Sequence, residues 1–342
     1  MNNPASVQQK PRSTAATKWL LVLLVCLLAA FALAVHFRRD ILDWAELQNY
    51  SPPAKVAALA RDDTMTDAAR RVYYVNHPAI EGKKQFATNC KNKSEQTIVL
   101  GCYHGGQQGI YILSVTDPRL DGVMEVTAAH EMLHAEYDRL SARDRQQVDG
   151  WLQDYYKNHL TDKRVLATIA SYKKTEPNDV VNEMHSVFAT EVPDLPSNLE
   201  QYYKRYFTDR AKVVQFSENY SSEFTRRQKQ VAAYDTQLQS LKTQIDANEA
   251  TLQQQEGSLA AQRQALERDR NSSDADSFNA RVADYNAAVD AYNAKIAATK
   301  LMIARYNGIV EKRNAIALEE QSLAQALNGD SIPPSAKLLL VR

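Results

Sequence analysis

Glycine is scarce in this chain, with ten in 342 residues. Tight turns and left-handed backbone lean on glycine, so the count points to much helix and few glycine-built turns. Cysteine is scarcer still. There are three, and none has the CxxC spacing of a cysteine-held zinc or a thiol redox site. An excess of either charge is also lacking, since 41 Lys and Arg balance 41 Asp and Glu. That balance leaves no electrostatic footprint for nucleic acid, and no nucleic-acid partner is expected. Tyrosine, by contrast, is plentiful at 17, and 44% of residues are apolar and 24% charged. A chain of this length and composition can build one good core plus accessory parts.

The first accessory part is apolar. Trp19 to Val35 form an uncharged run of 17 residues, at the short end of what crosses a bilayer as a helix. Lys10, Arg12 and Lys18 precede it without an acid among them. Arg38 and Arg39 follow, offset by Asp40, Asp43 and Glu46. The bias places the N-terminus in the cytoplasm and the remainder outside. A cleaved signal peptide competes with a retained anchor, because Ala32-Leu33-Ala34 resembles a small-residue cleavage site. Both readings export the rest of the chain.

Cys26 lies in the apolar run. Cys90 and Cys102 flank a segment that reads as a turn and a strand, so a hairpin brings their sulfurs together. A disulfide there agrees with an oxidising compartment; two separate buried thiols are the alternative.

Residues 36–62 read as a juxtamembrane connector broken at Pro52 and Pro53. "TMTDAARR" reads as a short helix. "RVYYVNHPAI", "QTIVLGCY" and "GIYILSV" are rich in β-branched and aromatic residues and read as strands. From "DGVMEVTAAHEMLHAEYDRL" onward the pattern is helical. Ser141 with Asp144 caps a second helix. Pro177 stands at the first turn of a third, over "PNDVVNEMHSVFATEV", which Pro193 ends. Strands followed by helices give an α+β domain over residues 63–212.

The last third changes character. Phe224, Val231, Leu238, Ile245, Leu252, Leu259 and Leu266 recur every seven residues, with Asn248, Gln255 and Gln262 as polar seam positions. "NSSDADS" at 271–277 interrupts. Val282, Val289, Ile296, Ile303 and Val310 then form a second heptad series. Apolar residues every 3.5 positions are the coiled-coil signal. Two arms of about 50 residues around a short polar break imply an antiparallel hairpin over 213–330. Pairing of one arm with another chain stays open.

The chemistry gathers in "AAHEMLHAEY", residues 128–137. His130 and His134 are one helical turn apart, so both imidazoles face the same way. Neutral imidazoles suit Zn²⁺, and Glu131 projects from an adjacent part of the helix as a base for a metal-bound water. The bland reading is a helix whose two histidines bind nothing.

Here the sequence resembles the zincin metallopeptidases. "HEMLHA" supplies two metal ligands and the base. Tyr137 and Leu140 stand where metzincins need Gly and His. "VVNEMHS" resembles the gluzincin pattern of thermolysin-like enzymes. That resemblance implies Glu183 as third ligand, with Asn182 and Ser186 in support. The acid these enzymes carry after the serine is replaced by Val187, so the partner of a zinc histidine is unassigned. On a helical wheel over 178–192, Val180, Met184, Val187 and Phe188 form the apolar face. Glu191 falls near its centre, Glu183 at its edge and His185 off it. Inward carboxylates are unusual unless paired or metal-bound, so Glu191 is the runner-up ligand. Tyr137 reads as core, His104 as a solvated turn residue, and Tyr172 and His185 as weaker oxyanion candidates. By resemblance, "GIYILSV" is the edge strand that holds an extended substrate.

The expectation is therefore an α+β, zincin-like domain with a small sheet plus active-site helices. It follows a cytoplasmic tail (1–18), a transmembrane helix (19–35) and the connector, and precedes the coiled-coil hairpin and a tail (331–342). The resemblance implies a Zn²⁺-dependent, membrane-anchored, extracytoplasmic endopeptidase with a polypeptide substrate. His130, His134 and Glu183 hold the metal and Glu131 is catalytic. The rival is a surface scaffold whose coiled coil binds a protein partner or self-associates.

Overall fold

A computed structural model describes residues 15–90, 100–271 and 274–328. It begins with helices α1 (Ala15–His36), α2 (Arg38–Leu47), α3 (Ala54–Asp62) and α4 (Asp67–Val75). Strand β1 (Ala79–Glu81), helix α5 (Lys83–Asn89) and strands β2 (Gly101–His104) and β3 (Gly109–Leu113) follow. A 3₁₀ turn at Pro118–Leu120 leads into α6 (Val123–Arg139), α7 (Ala142–Asn158), α8 (Lys163–Thr175), α9 (Val180–Glu191) and α10 (Ser197–Tyr203). The last two helices, α11 (Arg210–Asp269) and α12 (Ala275–Asn328), are far longer than the rest.

The expected α+β, zincin-like domain is not what forms. Of the described residues 79% are helical, and the sheet among them has three short strands. "RVYYV" explains much of the difference. Its β-branched and aromatic residues belong to α4, where Thr66 caps the helix by accepting from the Ala69 amide. Ala69, Val72 and Tyr73 are buried at helical spacing, so packing overrides β-propensity. Ala79 and Ile80 of "PAI" enter β1, and β2 begins at Gly101; residues 96–99 of the second expected strand lie outside the described residues. The helix around "VVNEMHS" starts at Val180 with Asp179 as its cap, so Pro177 precedes it instead of opening it. Ser141 caps α7 through the Asp144 amide.

The strand order is β1-β3-β2, with β1 parallel and β2 antiparallel to β3. "GIYIL" is thus the middle strand, and the edge beside the cleft is β2. The central element is α6, which packs against α3, α4, α9, α11 and the sheet. Ala128, Ala129, Met132, Leu133 and Ala135 are all fully buried on it. Its entry depends on Gly122, whose φ of +93° is left-handed and whose missing Cβ leaves room for Phe216. Two helices occupy the expected connector, and Val56, Leu59 and Ala60 of α3 join the main core.

Helices α11 and α12 run antiparallel. Arg227 pairs with Glu319 at 3.2 Å, Arg313 with Asp235 at 2.9 Å, and Arg281 with Asp269 at 3.0 Å near the tip. Their bases are built into the body. Leu323 and Leu327 pack with Phe86, Leu113, Val115 and Leu120, flanked by Tyr220 and Phe224. Within α1, Lys18–His36 is long and apolar enough to cross a membrane, with mean hydropathy 2.6 and no burial against the body. Cys90 and Cys102 form a disulfide.

Candidate metal centre

Helices α6 and α9 lie side by side and bring the two sequence motifs together. The Nε2 atoms of His130 and His134 are 3.0 Å apart. Glu183 reaches across from the first turn of α9, with one oxygen 3.4 Å from His130 Nε2 and the other 3.4 Å from His134 Nε2. His134 and Glu183 are buried and His130 nearly so, and the three together could hold a metal ion. Burial works against charge on His130, but the adjoining Glu183 carboxylate outweighs it and lifts the imidazole pKa to about 9. Glu183 shows the reverse. Burial raises it, but His134, His130 and a hydrogen bond from Tyr172 bring its pKa below the ordinary value. A metal ion replaces such imidazole protons when it binds.

Glu131 is 6% exposed, in the α6 turn between the two histidines. Burial raises its pKa, with the imidazoles of His134 and His130 opposing. Thr127 and Glu131 lie directly over Gly101 of the edge strand. A Cβ at that position would meet Thr127 Cγ2 at 2.5 Å and Glu131 Oε1 at 2.6 Å. The absent side chain is what lets the strand approach the carboxyl.

The group opens into a cleft of about 1340 Å³. One wall is β2. The others come from α8 (Arg164, Tyr172), the start of α9 (Asp179) and the base of α11 (Tyr220, Phe224).

The remaining sequence candidates separate clearly. Glu191 lines the cleft but is bonded by the Arg164 guanidinium, which explains an inward carboxylate without metal. His185 is fully buried, with Nε2 2.9 Å from the Tyr202 hydroxyl, and desolvation lowers its pKa to about 3. It lies outside the cleft lining. Helix α9 is buried on nearly every side, so the wheel's division into inner and outer faces does not apply to it. Tyr137 donates to Asp149 at 2.8 Å and packs in the core. His104 sits on the cleft rim, edge-on to Tyr111. Tyr172 is in the cleft beside Glu183.

Asn182 and Ser186 do not support Glu183. The Asn182 amide donates to Asp179 at 3.1 Å, and the Ser186 hydroxyl is buried without a partner among the described residues. His134 Nδ1 is likewise buried without one. Sequence reasoning missed Gly101, Arg164 and Tyr220. Arg164 and Tyr220 carry no local signal, whereas Gly101 opens a strand in a glycine-poor chain.

No family model matches the chain, and no curated protein or solved structure is found similar to it.

Proposed function

We propose that this protein is a membrane-anchored, zinc-dependent endopeptidase. The observation that carries the reading is the convergence of His130, His134 and Glu183 beside a buried Glu131 in a large open cleft. A tetrahedron with arms of about 2.0–2.1 Å has edges of about 3.3–3.4 Å. The three donor separations of 3.0, 3.4 and 3.4 Å approach those edges. Two imidazoles and one carboxylate, with a fourth side open, are the donor set of a catalytic zinc.

Bound zinc would supply Lewis acidity, lowering the pKa of a water and polarising the scissile carbonyl. The chain's own groups do the rest. Glu131 accepts the proton of the attacking water and delivers it to the departing amine nitrogen. Tyr172, beside Glu183 in the cleft, helps to keep that carboxylate ionised. The edge strand β2, which lines the cleft, gives an extended polypeptide backbone partners, and side-chain pockets then set its register. Apolar α1 anchors the chain with the N-terminus cytoplasmic, and the Cys90–Cys102 disulfide fits an extracytoplasmic body.

The test is Glu131→Gln in the full chain. It is expected to bind one zinc per chain, as the parent does, and to lose hydrolysis of an unfolded protein substrate. Hydrolysis at the parental rate would overturn the assignment of Glu131. The alternative is a scaffold whose long α11–α12 hairpin binds a partner. It predicts partner capture by the full chain with no zinc-dependent cleavage.

A further inference from the structure

Helix α2 has two opposite faces, and both are accounted for by position. At 3.6 residues per turn, Arg39, Asp43 and Glu46 fall within about 60° of one another. This face is fixed to the body. Both oxygens of Asp43 accept from the Arg139 guanidinium at 2.8 Å, and Asp43 Oδ1 also accepts from the Gln107 amide at 2.7 Å. Arg39 donates to the Arg139 carbonyl, and Glu46 lies beside His77.

Phe37, Ile41 and Trp44 form a second stripe of the same width, roughly 160° away. They are 47%, 49% and 62% exposed. The stripe continues directly from α1, with Phe37 alone interrupting the helix and its amide still bonded to the Leu33 carbonyl at 2.8 Å.

The lengths say what covers the stripe. The uncharged run from Trp19 to Val35 has 17 residues, about 25 Å of helix against a hydrocarbon core of about 30 Å. The missing 5 Å or so takes in residues 36–38, so Phe37 lies within the hydrocarbon, Arg38 at its edge, and Ile41, six residues past Val35, about 4 Å beyond it. Trp44 is nine residues past Val35, which puts it roughly 8 Å beyond the hydrocarbon edge, at the level of the headgroups. Trp is the residue that settles at that level.

We propose that the Phe37–Ile41–Trp44 face of α2 is a lipid-contact surface, with Phe37 completing the apolar span and Ile41 and Trp44 in the headgroup layer. The inference rests on α1 spanning the bilayer. It has a consequence for the cleft. Arg139, which holds Asp43, is the last residue of the helix that carries His130 and His134. Gln107 belongs to the β2–β3 turn beside the cleft rim. The rim is therefore fixed close to the bilayer surface, with His134 about 8 Å along α6 from Arg139.

The test uses the full chain reconstituted in phosphatidylcholine–phosphatidylglycerol vesicles, with lipids brominated near either end of the acyl chain. Trp44 emission is read as the difference between the parent and Trp44→Phe, which leaves buried Tyr202 and its neighbour Trp151 untouched. Trp19→Phe reports α1 in the same way. The expected result is Trp44 emission that is quenched most by bromine near the headgroup and shielded from aqueous iodide, with Trp19 also quenched by lipid. Trp44 open to iodide and unquenched by lipid, while Trp19 is quenched, would overturn the proposal and leave the membrane span standing. If lipid quenched neither residue, the span would be wrong and the lipid surface with it.

Discussion

Adding one methyl group at Gly101 tests the placement of Glu131 without touching a metal ligand. In Gly101→Ala the new Cβ lies 2.6 Å from Glu131 Oε1, whereas ordinary contact begins at 3.4 Å, so the carboxyl must retreat by about 0.8 Å. Thr127 cannot yield cheaply, because its hydroxyl donates to the Val123 carbonyl at 2.7 Å and holds its rotamer. Overpacking of this kind costs about 1–3 kcal/mol of stability. A displacement near 1 Å of a group engaged in proton transfer costs on the order of 10²-fold in rate. The expected variant is folded, slightly less stable, loaded with one zinc per chain, and slower in kcat/KM by about that factor. Thr127→Ser in the same background removes Cγ2 and should recover stability but not rate, since the contact with Glu131 remains. Zinc content and hydrolysis of an unfolded protein substrate are measured side by side. Parental kcat/KM in Gly101→Ala would refute the assignment of Glu131 as base. Zinc lost in step with rate would show that Gly101 acts through the metal ligands instead.

Two further predictions concern buried charge. Asp63 is fully buried, and neither carboxylate oxygen has a hydrogen-bond partner among the described residues. Burial first, then Glu125 and Asp62, hold its pKa well above the ordinary value, with Lys212 opposing. The folded state therefore binds this proton more tightly than the unfolded chain does. The stability it confers is complete below the ordinary carboxylate pKa of about 4 and is lost as pH rises through the folded value. Asp63→Asn is expected to match the parent in Tm near pH 4 and to exceed it by several degrees at pH 8. A parallel pair of Tm–pH curves would contradict this. Arg139→Ala leaves Asp43, 3% exposed, with Arg71 at 3.6 Å and the Gln107 amide. Breaking such a pair costs about 3 kcal/mol, whereas replacing both partners together with Leu and Met restores most of it. Denaturant unfolding of the full chain measures both, and a cost below about 1 kcal/mol for Arg139→Ala would count against the pair.

Local patterns in this sequence gave reliable readings wherever the structure uses local rules. Ser141 caps α7 as its spacing with Asp144 implies, and "HEMLHA" lies on a helix with both imidazoles on one side. Misreadings came where tertiary packing overrides local preference. "RVYYV" satisfies strand propensity, yet its buried positions recur at helical spacing against the core. "GIYIL" is a strand, but only long-range pairing with β1 decides that it is central and not the edge. The choice between Glu183 and Glu191 was also non-local. Both line the cleft from α9, and what sets Glu191 apart is its pairing with Arg164, 27 residues upstream. Asp43 and Arg139, 96 residues apart, leave no trace in any window of sequence.

The heptad series conceals a division within the hairpin that decides how its role can be tested. Phe224 opens the series in sequence, but in the fold it lines the cleft and packs on the small second core. A seven-residue period reads the same whether the covering surface is the other arm or the body. At the far end, Leu323 and Leu327 are buried against Phe86 and Leu113. Removing residues 217–328 would therefore strip a cleft wall and part of a core, and any loss of activity would say nothing about the arms. The pairs Arg227–Glu319 and Arg313–Asp235, with the cluster of Leu238, Leu241, Ile309 and Val310, mark the part that must stay. Excising 246–302 and closing the gap with a short loop keeps those contacts and removes only the projecting tip. That variant is expected to retain one zinc per chain and the parental Tm within a few degrees. If it also kept parental hydrolysis and localisation, the distal arms would be excluded as gate or docking element. Loss of zinc on the same excision would show instead that the arms stabilise the site from a distance, contrary to the packing described above.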